Sequence, residues 1–398
     1  MNSKNKVLMI TPDYPPDVFG GIGIHVNELA IALSEINCDL TVVVAPLYKE
    51  MSFSRIEIND NLSVVTLKQQ ITDEVPLNYW PLRLSKYNEQ LLNELDKYIE
   101  HSNHSSFDII HIHDYYHAHV AVALKEKFQL PLISTIHSIA PPASHFIDGL
   151  RRFLASNSDT IISVSAWLRE KIKTRYNLDD SVKVIHNGIT CKNPDAALLR
   201  AKKPTQPKII TFVGRLAPRK GCDILLRAFK KVLINDPTVI LQMIGDGPLR
   251  SNLESLADDL GILDNVQFLG YIKNEEIRSY LANSSLHVVP STQEPFGIVA
   301  LEAMAEGIPV ITTTVGGFPE FITHGWNGYM VEPDEVNSLS DAIQLLIENT
   351  NLRSNLAYNA LTSLNNFSWK KVAASTKSIY LEHISKEKII KKYHINMF

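Results

Sequence analysis

Short apolar runs alternate with stretches of helical periodicity along almost the whole chain, and this rhythm limits what the chain can fold into. Residues 7–10, 40–45, 108–113, 132–135, 160–164 and 182–185 read as buried strands, with helices at 24–35 and 167–176. The rhythm weakens over 190–207, where Pro194, Pro204 and Pro207 gather with Lys202 and Lys203. It then restarts, with strands at 208–213, 239–244, 266–269, 286–289 and 309–312. Helices at 222–235, 248–260, 274–283 and 298–306 separate them, and another follows at 338–349. Parallel strands need crossover connections, so this alternation implies parallel sheets covered by helices on both faces. The expected fold is α/β, with two Rossmann-like domains at 1–195 and 205–368 and an interdomain cleft. The stretch 190–207 is read as the linker. A length of 398 residues suits two domains.

Composition narrows the function. Lys+Arg 39 against Asp+Glu 43 gives a formal net charge of −4. That excludes a strongly basic nucleic-acid binder at the level of the whole chain, so no nucleic-acid partner is expected. Cys38, Cys191 and Cys222 are odd in number, far apart, and free of any CxxC pattern. Neither a disulfide framework nor a cysteine zinc site is indicated, and a reducing cytoplasm is the expected location. The apolar run 7–10 gives way at once to Thr11-Pro12-Asp13, too short for a signal segment or a membrane span. The tail 369–398 reads as a helix that turns basic near its end (Lys386, Lys388, Lys391, Lys392). It leaves peripheral membrane contact open.

Four motifs carry chemistry. Gly20-Gly21-Ile22-Gly23 stands between the first strand and the first helix. Gly21 and Gly23 let backbone approach a ligand, and the helix N-terminus behind them offers free N–H groups to a phosphate or a polar acceptor. A dinucleotide fingerprint would need a glycine where Val26 stands and an acid where Ala45-Pro46 ends the second strand. A plain tight turn is the bland alternative.

Gly214-Arg215-Leu216-Ala217-Pro218-Arg219-Lys220-Gly221 again joins a strand to a helix. Two glycines bracket three cations, an anion cradle by charge and geometry, or else a solvated basic loop. Glu294-Pro295-Phe296-Gly297-Ile298-Val299-Ala300-Leu301-Glu302 places one carboxylate before a helix and one in its second turn. Sugar hydroxyls are donors and suit both. The competing view is a pair of unrelated surface acids.

His111-Ile112-His113-Asp114 closes a buried strand with both histidines on one face, and His117 and His119 follow. The spacing invites a metal reading. No cysteine or paired carboxylate completes a tetrahedral set, so no metal site is expected. A strand-end histidine is otherwise a polarising or proton-handling group, or a structural one. Smaller signals are Gly245-Asp246-Gly247-Pro248, the Gly316-Gly317 turn, and Tyr271-Ile272 after a strand, where an aromatic ring and a backbone edge could meet a nucleobase.

Taken together, these motifs resemble the retaining glycosyltransferases of the GT-B fold, specifically the large family 4 (glycosyl transferases group 1). The resemblance spans nearly the whole chain, and E-P-F-G-x-x-x-x-E is its most specific part. It implies a nucleoside-diphosphate sugar, most often a UDP-sugar, held mainly by the C-terminal domain, and an acceptor alcohol or glycan.

By the same resemblance Arg215 and Lys220 neutralise the diphosphate, and Glu294 holds sugar hydroxyls. The backbone of Phe296, Gly297 and Ile298 contacts sugar and phosphate, and Glu302 takes the ribose. His113 lies beside the donor sugar, Gly21 and Gly23 approach the diphosphate or acceptor, and the tail helix crosses back to the first domain. No D-x-D occurs, so the metal-diphosphate device of the other large glycosyltransferase architecture is not expected, and no cofactor is called for. Two further readings of the same architecture are a UDP-sugar 2-epimerase and a nucleotide-sugar-binding protein without turnover.

Overall fold

The computed structural model describes residues 4–16, 18, 21–47, 51–69, 80–101, 107–139, 145–178, 181–202 and 208–395; the side chains of 80, 101, 202 and 386–395 are outside that description. Gly20, the far end of the expected linker (Lys203, Pro204 and Pro207) and the side chains of Lys386, Lys388, Lys391 and Lys392 therefore lie outside the described residues. The chain divides into two units, residues 1–188 with 369–398, and residues 189–368.

The first unit opens β1(Asn5–Thr11), α1(Gly21–Ser34), β2(Cys38–Val44), β3(Ser54–Asn59), β4(Leu62–Thr66) and α2(Trp80–His101). It continues β5(Ile109–His113), α3(Ala118–Phe128), β6(Leu132–Ile136), α4(His145–Asn157), β7(Thr160–Ser163), α5(Ala166–Tyr176) and β8(Val182–Val184). The second unit runs α6(Pro194–Lys202), β9(Ile209–Val213), α7(Cys222–Asn235), β10(Ile240–Ile244), α8(Arg250–Asp259), β11(Val266–Gly270) and α9(Asn274–Ala282). It ends β12(Leu286–Val289), α10(Ile298–Ala305), β13(Val310–Thr313), β14(Tyr329–Val331), α11(Val336–Glu348) and α12(Thr350–Ser363), after which α13(Trp369–Ile395) returns to the first unit.

The first sheet has the order β3-β4-β2-β1-β5-β6-β7-β8 and the second β11-β10-β9-β12-β13-β14. Every pairing is parallel except β3 with β4. In each unit the chain builds outward from its first strand on one side and then resumes on the other. Strand order therefore reverses between β1 and β5 and again between β9 and β12. Loops leaving the carboxyl ends of those strands diverge and leave a crevice, the general ligand position in open parallel sheets.

Strand alternation sends Val7 and Met9 into one apolar layer and Leu8 and Ile10 into the opposite one. The first layer is closed by α1 and by Trp369, Val372, Tyr380 and Ile384 of α13; the second by α2, α3 and α4. In the second unit Phe212 and Met243 share one core with Leu225 and Phe229 of α7 and with Leu339, Ile343 and Leu346 of α11.

The expected linker is partly a helix. Ala197 and Ala201 of α6 are buried one turn apart, and α6 packs on α12, so the change of unit falls at Gly188–Ile189, ahead of 190–207. Two small residues at i and i+4 make a narrow stripe that a search for bulky apolar periodicity passes over.

Tyr380 is fully buried, and its hydroxyl meets His111 Nδ1, 269 positions away. Replacing it by alanine is expected to cost about 3–5 kcal/mol, and by phenylalanine only about 1–2 kcal/mol for the lost hydroxyl contact. Urea unfolding of the two variants checks this; equal losses would show that the hydroxyl, not the ring, carries the contact.

Candidate functional site

The carboxyl edge of the second sheet assembles three of the motifs. Two loops leave β9 and β12, the strands at the reversal of order. Gly221, at φ +63, has space for no side chain: a Cβ there would lie 2.1 Å from the Pro290 carbonyl oxygen. The Thr292 N–H donates to the Arg219 carbonyl at 2.9 Å, so the cationic loop is strapped against the loop that carries Glu294. This close approach brings Lys220 Nζ to 2.6 Å from Glu294 Oε2, an ion pair that is largely buried on both sides. Ser291 Oγ donates to the same carboxylate oxygen at 3.1 Å. Behind Glu294 stands the Gly316-Gly317 turn. The Gly317 N–H donates to the Glu294 carbonyl at 3.1 Å, and a Cβ on Gly316, at φ +65, would fall 1.7 Å from that oxygen.

Helices α7 and α10 begin beside this pair. Gly221 and Gly297 stand at their N-caps, and neither end has a side-chain cap. Their first N–H groups have no intrahelical acceptor, and the helix dipoles favour an anion there.

The other residues expected at the site spread along the same edge. Arg215 is exposed, Phe296 is buried, and Ile298 and Ile272 are half-buried. Tyr271, 65% exposed, follows β11, two strands from β9. Glu302 is half-buried in α10, a turn beyond its start. Desolvation pushes its carboxyl up to about 7, although the Arg278 charge works in the other direction. Arg278 is itself engaged by Glu306 at 3.4 Å and by the Thr190 carbonyl at 2.9 Å.

The first unit gathers a different chemistry at its own reversal. His113 ends β5, and its ring lies 4.3 Å from that of His111, as two residues on one face of a strand require. His117 and His119 do not join them. His117 is held by Asn88 and the Ala45 carbonyl, and His119 stacks on Phe153.

Two other histidines take their places. His137, just past β6, sets Nε2 at 3.2 Å from His113 Nδ1, and His25 of α1 packs 4.7 Å from the His137 ring. His25 Nδ1 contacts Asn187 Oδ1 at 2.8 Å and its ring rests against Trp369. Gly23 lets α1 start hard against Asp13, where a Cβ would meet the aspartate at 3.0 Å, and Gly21 is the first, exposed residue of the same helix.

His25 is visible in the sequence only as a residue of the first helix, and neither it nor His137 stands out there as a site residue. His137 obeys the rule that selected His113, a polar residue at the carboxyl end of a parallel strand next to the reversal, but no H-x-H pattern advertises it.

Nitrogens of His25, His113 and His137 lie within 4.8 Å of one another, a spacing a divalent ion could bridge. No carboxylate or cysteine joins that group among the described residues, and His113 Nδ1 and His137 Nε2 already share one hydrogen bond. The set is three neutral imidazoles with no counter-charge for a buried dication. Burial, reinforced by the neighbouring histidines, holds His113 and His137 well below the ordinary imidazole value. It brings His25 down to about 4 and His111 to about 3.

Comparison with known proteins places the chain. Residues 197–362 match the family Glycosyl transferases group 1, and residues 19–193 match Glycosyltransferase Family 4. The glycosyltransferase MJ1607 of Methanocaldococcus jannaschii is 30% identical over 94% of this chain and 97% of its own. The chain is a family 4 glycosyltransferase. The glycogen synthase of Mycobacterium tuberculosis is 29% identical over 94% of each chain. Among solved structures, sucrose-phosphate synthase from Thermosynechococcus elongatus superposes with a TM-score of 0.81 at 24% identity, covering 96% of this chain and 100% of that one. Anabaena HepE in complex with UDP-glucose gives 0.71 at 21%, covering 96% and 99%. The enzyme thus has the GT-B fold, with two Rossmann-like units. No helix among the described residues is long and apolar enough to cross a membrane.

The neutral histidines make stability depend on acid. In the unfolded chain His25 and His111 take up a proton near pH 6.5; in the folded enzyme they do so only near 4 and 3. Between those values the unfolded state binds more protons, so stability falls as pH drops, by about 1.4 kcal/mol per pH unit for each histidine. Unfolding free energy should be level above about pH 7 and decline below 6.5, with a shallower decline in His111→Gln. Urea titrations across that range measure it; the same slope in the variant would contradict the assignment of His111.

Proposed function

We propose that the enzyme transfers a hexosyl or N-acetylhexosaminyl group from a UDP-sugar to an acceptor hydroxyl with retention of configuration. The observation that carries this reading is the Lys220–Glu294 pair set beside two uncapped helix N-termini. A cation and free N–H groups suit a diphosphate. A buried carboxylate beside them suits the hydroxyls of the sugar attached to it. HepE, which shares the fold, was solved with UDP-glucose, which supports the choice of nucleotide.

In this reading Lys220 and Arg215 take the diphosphate oxygens, with the α7 and α10 N-termini and the backbone of Phe296, Gly297 and Ile298. Glu294 accepts hydrogen bonds from the sugar, Glu302 accepts them from the ribose, and Tyr271 with Ile272 borders the base. His113, with His137 stacked on it, serves the transferred sugar; Gly21 and Gly23 leave room for diphosphate or acceptor. As the glycosidic bond to phosphate lengthens, negative charge grows on the departing diphosphate. Fixed cations and helix dipoles stabilise that charge without having to reorient. The sugar becomes oxocarbenium-like, and the acceptor oxygen attacks it on the face the diphosphate leaves, its hydroxyl proton passing to the departing phosphate oxygen.

Lys220→Ala should weaken UDP binding by about 1.5–3 kcal/mol, the scale of a charge-assisted contact. Glu294→Gln should lower transfer without weakening UDP, since it touches the sugar and releases Lys220. Calorimetry with UDP, alongside nucleotide-release assays, tests both; an unchanged UDP affinity in Lys220→Ala would remove the diphosphate assignment.

Glu302 adds a pH signature. Ribose hydroxyls need the ionised carboxylate as acceptor, and its free-enzyme value is about 7. UDP affinity should therefore fall as pH drops below 7, by up to about tenfold per unit beyond the fall caused by protonation of UDP's own terminal phosphate at about pH 6, and Glu302→Gln should be weaker at neutral pH and keep only the phosphate's share. A wild-type UDP affinity that falls no more steeply than the variant's from pH 8 to 6 would mean that Glu302 does not hold the ribose.

A further inference from the structure

We infer that Ser291 is the positioning residue for Glu294, holding its carboxylate in place once Lys220 turns to the diphosphate. The inference rests on the reading that Glu294 binds the donor sugar and Lys220 the diphosphate.

Glu294 Oε2 accepts from both Lys220 Nζ, at 2.6 Å, and Ser291 Oγ, at 3.1 Å. Lys220 is thus occupied by the carboxylate before any donor arrives. A phosphate oxygen competes with that carboxylate for the same ammonium group. As Lys220 is drawn toward the diphosphate, a carboxylate only 8% exposed loses part of its counter-charge. A buried carboxylate without partners is costly, and it would relieve that cost by swinging away. That change would remove the acceptor that the sugar hydroxyls need.

Ser291 is placed to prevent this. It is fully buried, two residues past the end of β12, so it does not reach ligand or solvent. Its hydroxyl carries one proton, and the ionised carboxylate can only accept, so the direction of that hydrogen bond is fixed. Its backbone is fixed in turn: the Ser291 carbonyl accepts from Thr313 Oγ1 at 2.6 Å, and Thr313, the last residue of β13, is itself buried. The Gly316-Gly317 turn that follows β13 holds the Glu294 carbonyl. The neighbouring strand therefore clamps Glu294 twice, at its backbone through Gly317 and at its side chain through Thr313 and Ser291. Neither contact involves Lys220, so both persist when the ion pair is exchanged for the donor.

The test compares Ser291→Ala, Ser291→Thr, Glu294→Gln and Ser291→Ala with Glu294→Gln combined. Two quantities are measured: UDP affinity by calorimetry, and steady-state UDP release from whichever of UDP-glucose, UDP-galactose and UDP-N-acetylglucosamine the wild type turns over fastest. Ser291→Ala should keep UDP affinity within about twofold yet lower kcat about tenfold, the value of one hydrogen bond to a charged group. Ser291→Thr, which keeps the hydroxyl, should recover most of the loss. In the Glu294→Gln background Ser291→Ala should add nothing further, because the carboxylate it serves is gone.

A Ser291→Ala enzyme at wild-type kcat, with Glu294→Gln impaired, overturns the positioning role and leaves the sugar-binding reading standing. Losses that multiply in the double variant, or a matching loss of UDP affinity in Ser291→Ala, overturn it as well. Glu294→Gln at wild-type rate overturns the reading of Glu294 and the inference with it. If Ser291→Thr does not fold, the comparison of single and double alanine variants still decides.

Discussion

In a parallel sheet every strand delivers its carboxyl end to the same edge, and where strand order reverses the departing loops must part. Everything chemical in this enzyme follows from those two constraints. Between β9 and β12 the reversal brings Lys220 and Glu294, 74 residues apart in sequence, to 2.6 Å. Between β1 and β5 it brings His25, His113 and His137 into one cluster, with His137 stacked on His113 and His25 edge-on to His137. The glycines serve this convergence. Gly221 and Gly316 each sit where a Cβ would collide with backbone, Gly221 on the loop that carries Lys220 and Gly316 on the turn after β13 that backs Glu294.

The two edges carry opposite electrostatics. The second unit keeps formal charges: a lysine and a carboxylate paired under conditions where neither is fully exposed, with two helix N-termini beside them. Each charge has a partner of opposite sign, which is the condition for leaving it ionised in a low dielectric. The histidine cluster of the first unit carries no charged member of its own. Its histidines are buried against one another with no carboxylate to hold a proton on them, so they remain neutral donors and acceptors through the physiological range. One edge suits a diphosphate, and the other suits uncharged hydroxyls.

Much of this was legible in the sequence, for identifiable reasons. Most of the strands that read as apolar runs are interior strands, buried on both faces; the edge strands β8 and β11 also lie where expected, partly exposed. The motif loops could be read because glycine with charge at a strand–helix junction is a local pattern. Pairings at long range could not. Nothing local ties Tyr380 to His111, and the contact of His137 with His113 appears only when β6 is laid beside β5. The edge strand β3 shows no buried run because it is mostly exposed, and the buried strand β4 beside it, LSVVT, is short and interrupted by serine. Helix α6 was taken for a linker because its buried stripe is made of alanines.

The last long-range element, α13, shows what such contacts are for. Its first residue, Trp369, lies on Gly188, where a Cβ would come within 2.4 Å of the indole, and the same ring lies against His25. Three turns on, Tyr380 reaches His111, which shares a face of β5 with His113. A helix that merely covered apolar surface would need neither contact. By fixing His25 from one side and His111 from the other, α13 limits the rotamers open to His113, whose ring packs against both. Rigid placement matters for neutral imidazoles, because a hydrogen bond without charge is short in reach and strict in angle. A lysine can find a phosphate across some distance; an uncharged histidine must already be pointing at its partner.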